Sequence, residues 1–242
     1  MAEDEIIKKH TKIVYKTWRD PEKDWFTKLK DLLLEIIIIV FAVSVSIWFH
    51  NWSDSLNNRK EEKEFLRGLK SDLRTDLKEM KDDKASLEKE SVGIHYFETI
   101  GGGVNLSDDS LNKYGWIFFS KTQINPRISR FEALKGSGKL DIIENKKLQY
   151  NIIDLYQKNF IQIFRLNENI NSIMADKVVV FMGDNAQLDA NAHVTNGQEI
   201  MRKPKMRFLL FQAEGIRNNI KAYLDGIDKG NEIIKQIDEE LK

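Results

Sequence analysis

The pattern of apolar and polar positions changes sharply near the N-terminus. Residues 32–49 read LLLEIIIIVFAVSVSIWF, an apolar run interrupted only by Glu35, Ser44 and Ser46. As a helix this run rises about 27 Å, close to the thickness of a bilayer's hydrocarbon core. Residues 36–45 would cover nearly every face of that helix with hydrocarbon, which is typical of a membrane span rather than of a helix buried in a soluble protein. We therefore predict one transmembrane helix over residues 32–50.

Aromatic residues bracket the run and predict where it meets the two membrane surfaces. Trp25 and Phe26 precede it, and Trp48 and Trp52 close it. Rings of this kind favour the headgroup layer, so we predict these four residues as membrane-interface anchors. The run begins some thirty residues into the chain and is followed by bulky residues rather than by a small-residue cleavage site, which indicates a retained anchor rather than a cleaved signal peptide.

One face of the predicted membrane helix carries its less apolar residues. Glu35, Ile39, Ala42 and Ser46 recur at intervals of four, three and four and therefore share a face. Ala42 and Ser46 form a pair of small residues that allows two helices to approach closely. An ionised carboxylate deep in hydrocarbon costs on the order of 3 kcal/mol, so Glu35 either extends to the near interface or faces other copies of the helix. We predict this face as a membrane or oligomer interface.

Basic residues on either side of the run predict its orientation. Residues 12–31 contain six Lys and Arg residues, of which Lys28 and Lys30 nearly adjoin the run, whereas the five that follow begin only at Arg59. This asymmetry favours a cytoplasmic N-terminus and a periplasmic or outward C-terminal domain. Residues 1–31 are then a cytoplasmic or interfacial segment, in which residues 5–18 have an amphipathic helical pattern.

Heptad spacing after Trp52 predicts that a long helix continues beyond the membrane. One column of this helix is fully apolar and consists of Leu66, Leu73, Met80, Leu87 and Ile94. The companion column holds Leu69 and then Asp76, Asp83 and Glu90, which a dry coiled-coil seam would not accept. We therefore expect the long helix to pack through a narrow stripe onto helices of its own chain.

Two further helices supply that packing surface and complete an all-α prediction. The C-terminal helix has two heptad columns, formed by Ile220, Ile227, Ile234 and Leu241 and by Ile216, Tyr223, Gly230 and Ile237. Another helix is predicted over residues 148–173, and residues 176–182 are either a short strand or its end. Residues 101–103 and 182–196 are predicted as loops. Residues 51–242 should thus form an extramembrane helical bundle or coiled-coil hairpin.

Composition removes several classes of function. The chain has 38 basic and 38 acidic residues, and this balance disfavours nucleic-acid binding because no field of one sign would hold phosphates. The absence of cysteine excludes disulfides, thiolate nucleophiles and cysteine-ligated zinc.

Short motifs that suggest chemistry are incomplete. Gly136-Ser-Gly-Lys139 resembles the end of a phosphate-binding loop, but Ala133 and Leu140 occupy two of the positions that this motif requires, and Gly136 is expected to be a left-handed helix cap. The four histidines are scattered without the one-turn spacing of a catalytic zinc site. We predict no catalytic residue, cofactor, metal or small-molecule substrate.

Two stretches of the chain resemble an uncharacterised family of single-pass membrane proteins common in Bacteroidota. The matching residues in the first stretch are Glu35, Asn51, Trp52, Arg59, Lys60, Glu64, Leu66, Leu69 and Leu73. Those in the second are Pro126, Phe131, Leu134, Ser137, Gly138, Leu140, Leu148 and Tyr156. The resemblance implies a membrane anchor followed by a helical domain, but it implies no activity.

These observations lead to three functional hypotheses. The first is a bitopic membrane protein with a helical interaction or scaffold domain, which self-associates or serves as an accessory subunit of an envelope complex, with membrane lipid as a further partner. The second is an oligomeric channel or signal-transmitting sensor in which Glu35, Ser44 and Ser46 lie near the central axis. The third is a lipid- or ligand-handling enzyme with a pocket built from Tyr114, Trp116, Arg127 and Arg130.

Overall fold

The computed structural model describes residues 25–105, 113–191 and 193–242. Within these ranges all regular elements are helical, apart from an isolated antiparallel bridge between Leu188 and Val194, and the all-α prediction is confirmed. The chain divides between Glu61 and Glu62 into two units. The amphipathic segment predicted over residues 5–18 lies outside the described residues, and the predicted domain boundaries near residues 31 and 50 stay predictions.

Helix α1 extends over Trp25–Gly101 and comprises 77 residues. Its length follows from composition, because no proline interrupts this part of the chain. The helix ends where three glycines follow one another, as predicted. The Gly102 and Gly103 amides donate to the carbonyl oxygen atoms of Thr99 and Ile100 over 3.0 Å each, and Gly103 has a φ of 108°, a left-handed conformation that glycine adopts without strain.

The remaining α-helices of the described residues lie in the second half of the chain. They are α2 (Ser129–Gly136), α3 (Lys146–Asp154), α4 (Phe160–Ser172), α5 (Val180–Asn185), α6 (Gly197–Arg202), α7 (Pro204–Ala213) and α8 (Ile216–Glu240). Two π-helical stretches, Leu155–Asn159 and Ile173–Val179, connect α3 to α4 and α4 to α5. The helix predicted over residues 148–173 therefore extends to Asn185, and residues 176–182 form its end rather than a strand.

Three details differ from the predictions. The loop predicted over residues 182–196 begins only after α5 ends at Asn185. Helices α6 and α7 occupy residues between the predicted loop and the final helix and were not predicted, although Pro204 stands at the first position of α7, where its missing amide hydrogen costs nothing. Gly136 is not a left-handed cap, because α2 includes it. The left-handed residue is Gly138, with a φ of 70°, so the turn closes two positions later than predicted.

The core of the bundle forms where α1 meets the α3–α5 segment and α8. All five residues of the predicted apolar column of α1 are at most 1 % exposed. The α8 column that begins at Ile216 is likewise buried, whereas Ile220 and Ile234 of the other column are only partly buried. The packing of α1 onto helices of its own chain, which the heptad pattern predicted, is confirmed.

Two glycines of α8 allow the helices to approach closely. A Cβ atom added at Gly226 would lie 2.8 Å from the Met80 Cε atom and 3.1 Å from the Ile163 Cδ1 atom, and one added at Gly230 would lie 2.7 Å from the Leu77 Cδ2 atom. These distances are shorter than van der Waals contacts. A side chain at either position would therefore require Met80 or Leu77 to shift, and a large one would push α8 away from α1.

We expect Gly226→Leu to lower the free energy of unfolding by about 2 to 3 kcal/mol, because the new side chain overfills a packed core. The matched control is Gly183→Leu in α5, where an added Cβ meets no atom within 4 Å and where leucine favours the helix. Denaturant unfolding of the full chain in detergent, followed by circular dichroism, measures both effects. Equal stability of the two variants would contradict the close packing of α8.

Candidate functional site

The apolar run of α1 is exposed along its length. Every residue from 36 to 44 is exposed. From Leu32 onward, α1 is long and apolar enough to cross a membrane. Phe41 and Val43 are 69 % and 53 % exposed, although they lie on nearly opposite faces of the helix. This surface contrasts with that of the bundle, in which a large set of apolar residues forms a continuous buried core.

The four predicted anchors lie at the two ends of this run and are largely exposed. The rings of Trp25 and Phe26 contact each other with centroids 4.9 Å apart. Trp48 and Trp52 stack one turn apart, with centroids at 6.2 Å and nearly parallel planes. The two aromatic pairs therefore form compact groups at a separation set by the helix between them.

The predicted interface face is formed as expected for a helix. Ile39, Ala42 and Ser46 are exposed and Glu35 is partly buried. All four belong to α1, whose regular helical geometry places them on one face. Their role as an interface between membrane helices stays a prediction.

The most unusual feature of the bundle is a column of buried acidic side chains on α1. Glu62, Asp76, Asp83 and Glu90 recur at multiples of seven residues, and we call this set the acidic column. Glu62, Asp76 and Glu90 are 1 %, 2 % and 7 % exposed, and Asp83 is partly buried. Buried carboxylates are costly unless other groups donate hydrogen bonds to them. Each member of the column accepts such bonds from a different segment of the chain.

Asp76 binds the segment that leads into α2. It accepts a hydrogen bond from the Arg127 amide over 3.1 Å and forms an ion pair with the Arg127 Nη1 atom over 2.6 Å. The Nη2 atom of the same guanidinium contacts Glu79 over 2.9 Å. Arg130, at the start of α2, pairs with Asp72 over 2.9 Å. The two arginines therefore fasten residues 127–130 to α1.

Asp83 ends a chain of hydrogen bonds that connects three helices. Asn219 of α8 donates to Asn167 of α4 over 3.0 Å, and Asn167 donates to the Tyr223 hydroxyl over 2.8 Å. That hydroxyl donates to Asp83 over 3.2 Å. Asn167 and Tyr223 are fully buried, so the network connects α1, α4 and α8 inside the core.

The two outer members of the acidic column bind loop segments. Glu90 accepts hydrogen bonds from the Ser120 and Thr122 hydroxyls over 2.5 and 3.4 Å. Glu62 accepts the Glu144 amide over 3.0 Å, just before α3 begins. These contacts fix two segments next to the core residues Ile117, Phe118 and Ile143.

A small cleft lies beside the middle of the acidic column. Its volume is about 140 Å³, and it is lined by Asp76, Glu79 and Asp83 on α1 and by residues 123–126. Pockets for small molecules typically measure about 300 Å³ or more. The cleft is therefore large enough for a few water molecules, and its carboxylates are already paired with Arg127 and Tyr223.

Burial changes the protonation behaviour of the acidic column. Loss of solvent raises the pKa of Asp76, Asp83 and Glu90 above the ordinary values, although their hydrogen bonds partly oppose this rise. For Asp76, the Arg127 guanidinium also opposes it. The donors to Glu90 are neutral hydroxyls. The column is therefore a set of titratable groups inside the bundle.

The residues considered for an enzyme pocket do not all line one pocket, because Arg127 and Arg130 border an open cleft with Asp72 and Ser129 whereas Tyr114 and Trp116 are not among its lining residues. Arg127 and Arg130 are bound to acidic residues of α1, and the ring of Tyr114 contacts that of Tyr96 with centroids 4.9 Å apart. Trp116 is 44 % exposed. In the described ranges these four side chains thus have structural partners or face solvent, and the enzyme hypothesis stays untested.

Sequence reasoning missed a group that combines an imidazole with two carboxylates. Ligand atoms of His95, Glu98 and Glu214 all lie within 4.8 Å of one another. The spacing of His95 and Glu98, three residues apart on α1, was visible in the sequence because it places them on one face of the helix. Glu214, which follows α7, could not be connected to them without the fold.

Acidification should stabilise the bundle through the acidic column. A carboxyl whose pKa is higher in the folded than in the unfolded state binds its proton more tightly when folded, so stability rises as pH falls from neutral toward the unfolded value of about 4. Glu79, Asp141, Asp189 and Glu232 have lowered pKa values, and their stabilising contribution is lost only at and below about pH 4.

We therefore expect the wild-type melting temperature to rise between pH 7.5 and pH 5, because the folded state takes up protons on Asp76, Asp83 and Glu90 more readily than the unfolded state does. Glu90→Gln should reduce this rise, because it removes one buried titrating group. Glu64→Gln, at an exposed position of the same helix, is the control and should keep the wild-type slope. Identical slopes in all three proteins would exclude Glu90 as a contributor.

Comparison of the chain with known protein families, with curated proteins and with solved structures found no match. The resemblance to single-pass membrane proteins of Bacteroidota is not tested by these comparisons and stays a prediction. Functional conclusions therefore depend on the residues and the geometry described above.

Proposed function

We propose that this protein is a single-pass membrane protein whose C-terminal helical bundle is an interaction or scaffold domain. The observation that carries the proposal is the exposed apolar run of residues 36–44. A soluble protein rarely leaves a contiguous apolar surface larger than a few hundred Å² uncovered. Because this surface surrounds the helix, a lipid bilayer covers it more completely than a partner protein bound to one face would. The family resemblance noted above is consistent with this assignment.

The placement of the chain in a bacterial inner membrane is part of the proposal. Lys28 and Lys30 near the start of the apolar run favour a cytoplasmic N-terminus, and the bundle then lies in the periplasm. The aromatic pairs formed by Trp25 with Phe26 and by Trp48 with Trp52 support the two interface positions.

Self-association through the membrane helix is the most direct way in which such a protein could act as a scaffold. Ala42 and Ser46 carry small side chains on one exposed face, and close approach of two helices depends on such residues. The bundle itself is held together internally by the acidic column and a continuous core, which suits a rigid module that presents surfaces to partners. Other envelope proteins are the alternative occupants of the same face.

Membrane attachment is tested by placing arginines in the apolar run. We expect the double variant Ile38→Arg, Phe41→Arg to lose integration into the membrane, because each arginine near the helix centre costs about 3 kcal/mol. The matched control is Phe208→Arg, Phe211→Arg, which has the same spacing and changes two exposed phenylalanines of α7. Carbonate extraction of cell membranes is the measurement. A wild-type chain that carbonate extracts would overturn the proposed anchor.

Self-association is tested by cysteine cross-linking, for which a chain without cysteine gives a clean background. Ile39→Cys places a thiol on the proposed interface face, and Ile37→Cys places one at similar depth on the opposite face. We expect oxidation in native membranes to produce several-fold more disulfide-linked dimer from Ile39→Cys, since a disulfide requires Cα atoms within about 7 Å.

The particle mass in nanodiscs separates the two forms of the proposal. A homo-oligomer together with selective Ile39→Cys cross-linking would support self-association. A particle containing other chains would indicate an accessory subunit. A monomer with equal and low cross-linking at both positions would contradict the interface assigned to Glu35, Ile39, Ala42 and Ser46.

A further inference from the structure

One imidazole and two carboxylates converge where the end of α1 meets the turn between α7 and α8. The His95 Nδ1 atom lies 3.5 Å from the Glu214 Oε1 atom and 3.7 Å from the Glu98 Oε2 atom. All three ligand atoms lie within 4.8 Å of one another. These residues belong to the same compact unit of the chain. They are separate from the acidic column and have no part in the proposed membrane anchor.

The contacts in this group are not those of a completed hydrogen-bond network. The two distances from the His95 nitrogen exceed the length of an N–H···O hydrogen bond, which is about 2.9 Å. The Oε2 atom of Glu214 accepts from the Arg217 Nη2 atom over 2.6 Å, but its Oε1 atom is buried and has no hydrogen-bond donor. A buried oxygen atom without a partner costs about 1 to 3 kcal/mol. The His95 Nδ1 atom at 3.5 Å is an ionic partner of this oxygen atom only when the imidazole is protonated, so a cation bound between the two would complete the contact.

We propose that His95, Glu98 and Glu214 bind one zinc ion. Zinc takes nitrogen and oxygen ligands at about 2.0 to 2.2 Å, and the ligand atoms of a tetrahedral site are then about 3.3 to 3.6 Å apart. The two distances from His95 Nδ1 fall at or just above this range. An ion at the centre would also provide the missing partner of Glu214 Oε1.

The ligand types select zinc over the common hard cations. Calcium takes six to eight oxygen ligands and magnesium requires near-octahedral oxygen coordination, whereas an imidazole with carboxylates suits zinc. Three protein ligands leave a fourth position for water. His95 is 60 % exposed, so an ion and its water can enter from solvent. Arg217, already bound to the outer oxygen of Glu214, holds that carboxylate in place for the ion.

The role of the ion follows from where its ligands lie. His95 and Glu98 are in the last turns of α1, and Glu214 lies at the turn that connects α7 to α8. Zinc would therefore join two segments that are far apart in sequence. An ion that binds only the folded state stabilises the protein, and the stabilisation grows with the logarithm of the ion concentration divided by the dissociation constant.

Calorimetric titration of the full chain with ZnCl₂ tests this site. The chain is purified in detergent without a histidine tag and is freed of metal with a chelator. We expect one zinc ion per chain, and binding at least tenfold weaker in His95→Ala and in Glu98→Gln. The control is His193→Ala, which removes an exposed imidazole that lies 3.3 Å from a single carboxylate, Asp189. This variant should bind zinc as the wild type does.

Further measurements identify the kind of site. Co²⁺ in place of zinc should give the visible absorption of a tetrahedral complex in the wild type and in His193→Ala, but not in His95→Ala. Circular dichroism confirms that each variant is folded. The proposal is overturned if the dissociation constant of the wild type for zinc is larger than about 100 micromolar. It is also overturned if His95→Ala and Glu98→Gln keep wild-type affinity, or if millimolar Ca²⁺ displaces the ion.

Discussion

The packing of the bundle depends on buried carboxylates of one helix, which need hydrogen-bond donors from the rest of the chain. The acidic column of α1 puts four such groups into or against the core, and each would be strongly unfavourable without donors. The donors come from Arg127, from Tyr223, from the Ser120 and Thr122 hydroxyls and from the Glu144 amide. An apolar stripe alone permits sliding, whereas a fixed set of acceptors at seven-residue intervals is satisfied at one alignment only. We infer that the acidic column fixes how the segments that carry these donors align along α1.

The sequence of α1 suits two different surroundings along its length. In residues 36–44 no charge occurs and every side chain is exposed, which suits a surrounding of hydrocarbon. In residues 62–97 one side of the helix alternates apolar and acidic columns, which suits an interior supplied with hydrogen-bond donors. The change in pattern along α1 is thus a change in the environment that its side chains require, and it explains why a single uninterrupted helix has two unlike surfaces.

Periodic features were predictable from the sequence, and features that depend on distant segments were not. The apolar column that starts at Leu66 and the end of α1 at three glycines follow from spacing and from local backbone preference. The acidic companion column was visible too, but it was interpreted only as an obstacle to a dry seam. Its donors at residues 120–127 lie in a segment without periodicity, so neither the Arg127 contact with Asp76 nor the cleft beside it could be derived. The π-helical stretches within residues 155–179 could not be predicted either, because their wider turns depend on packing and not on a pattern in the sequence.

The group formed by His95, Glu98 and Glu214 shows how the register of α1 bears on function. His95 and Glu98 lie on the turns that follow Glu90, whose hydroxyl partners fix that part of the helix. Glu214 is held by Arg217 at the start of α8, and α8 is itself positioned against α1 by Gly226, Gly230 and Tyr223. The zinc ligands are therefore brought together by contacts made elsewhere in the core. A bundle whose acidic column were replaced by leucine could still collapse, but it would lose the alignment that places an imidazole opposite a buried carboxylate oxygen.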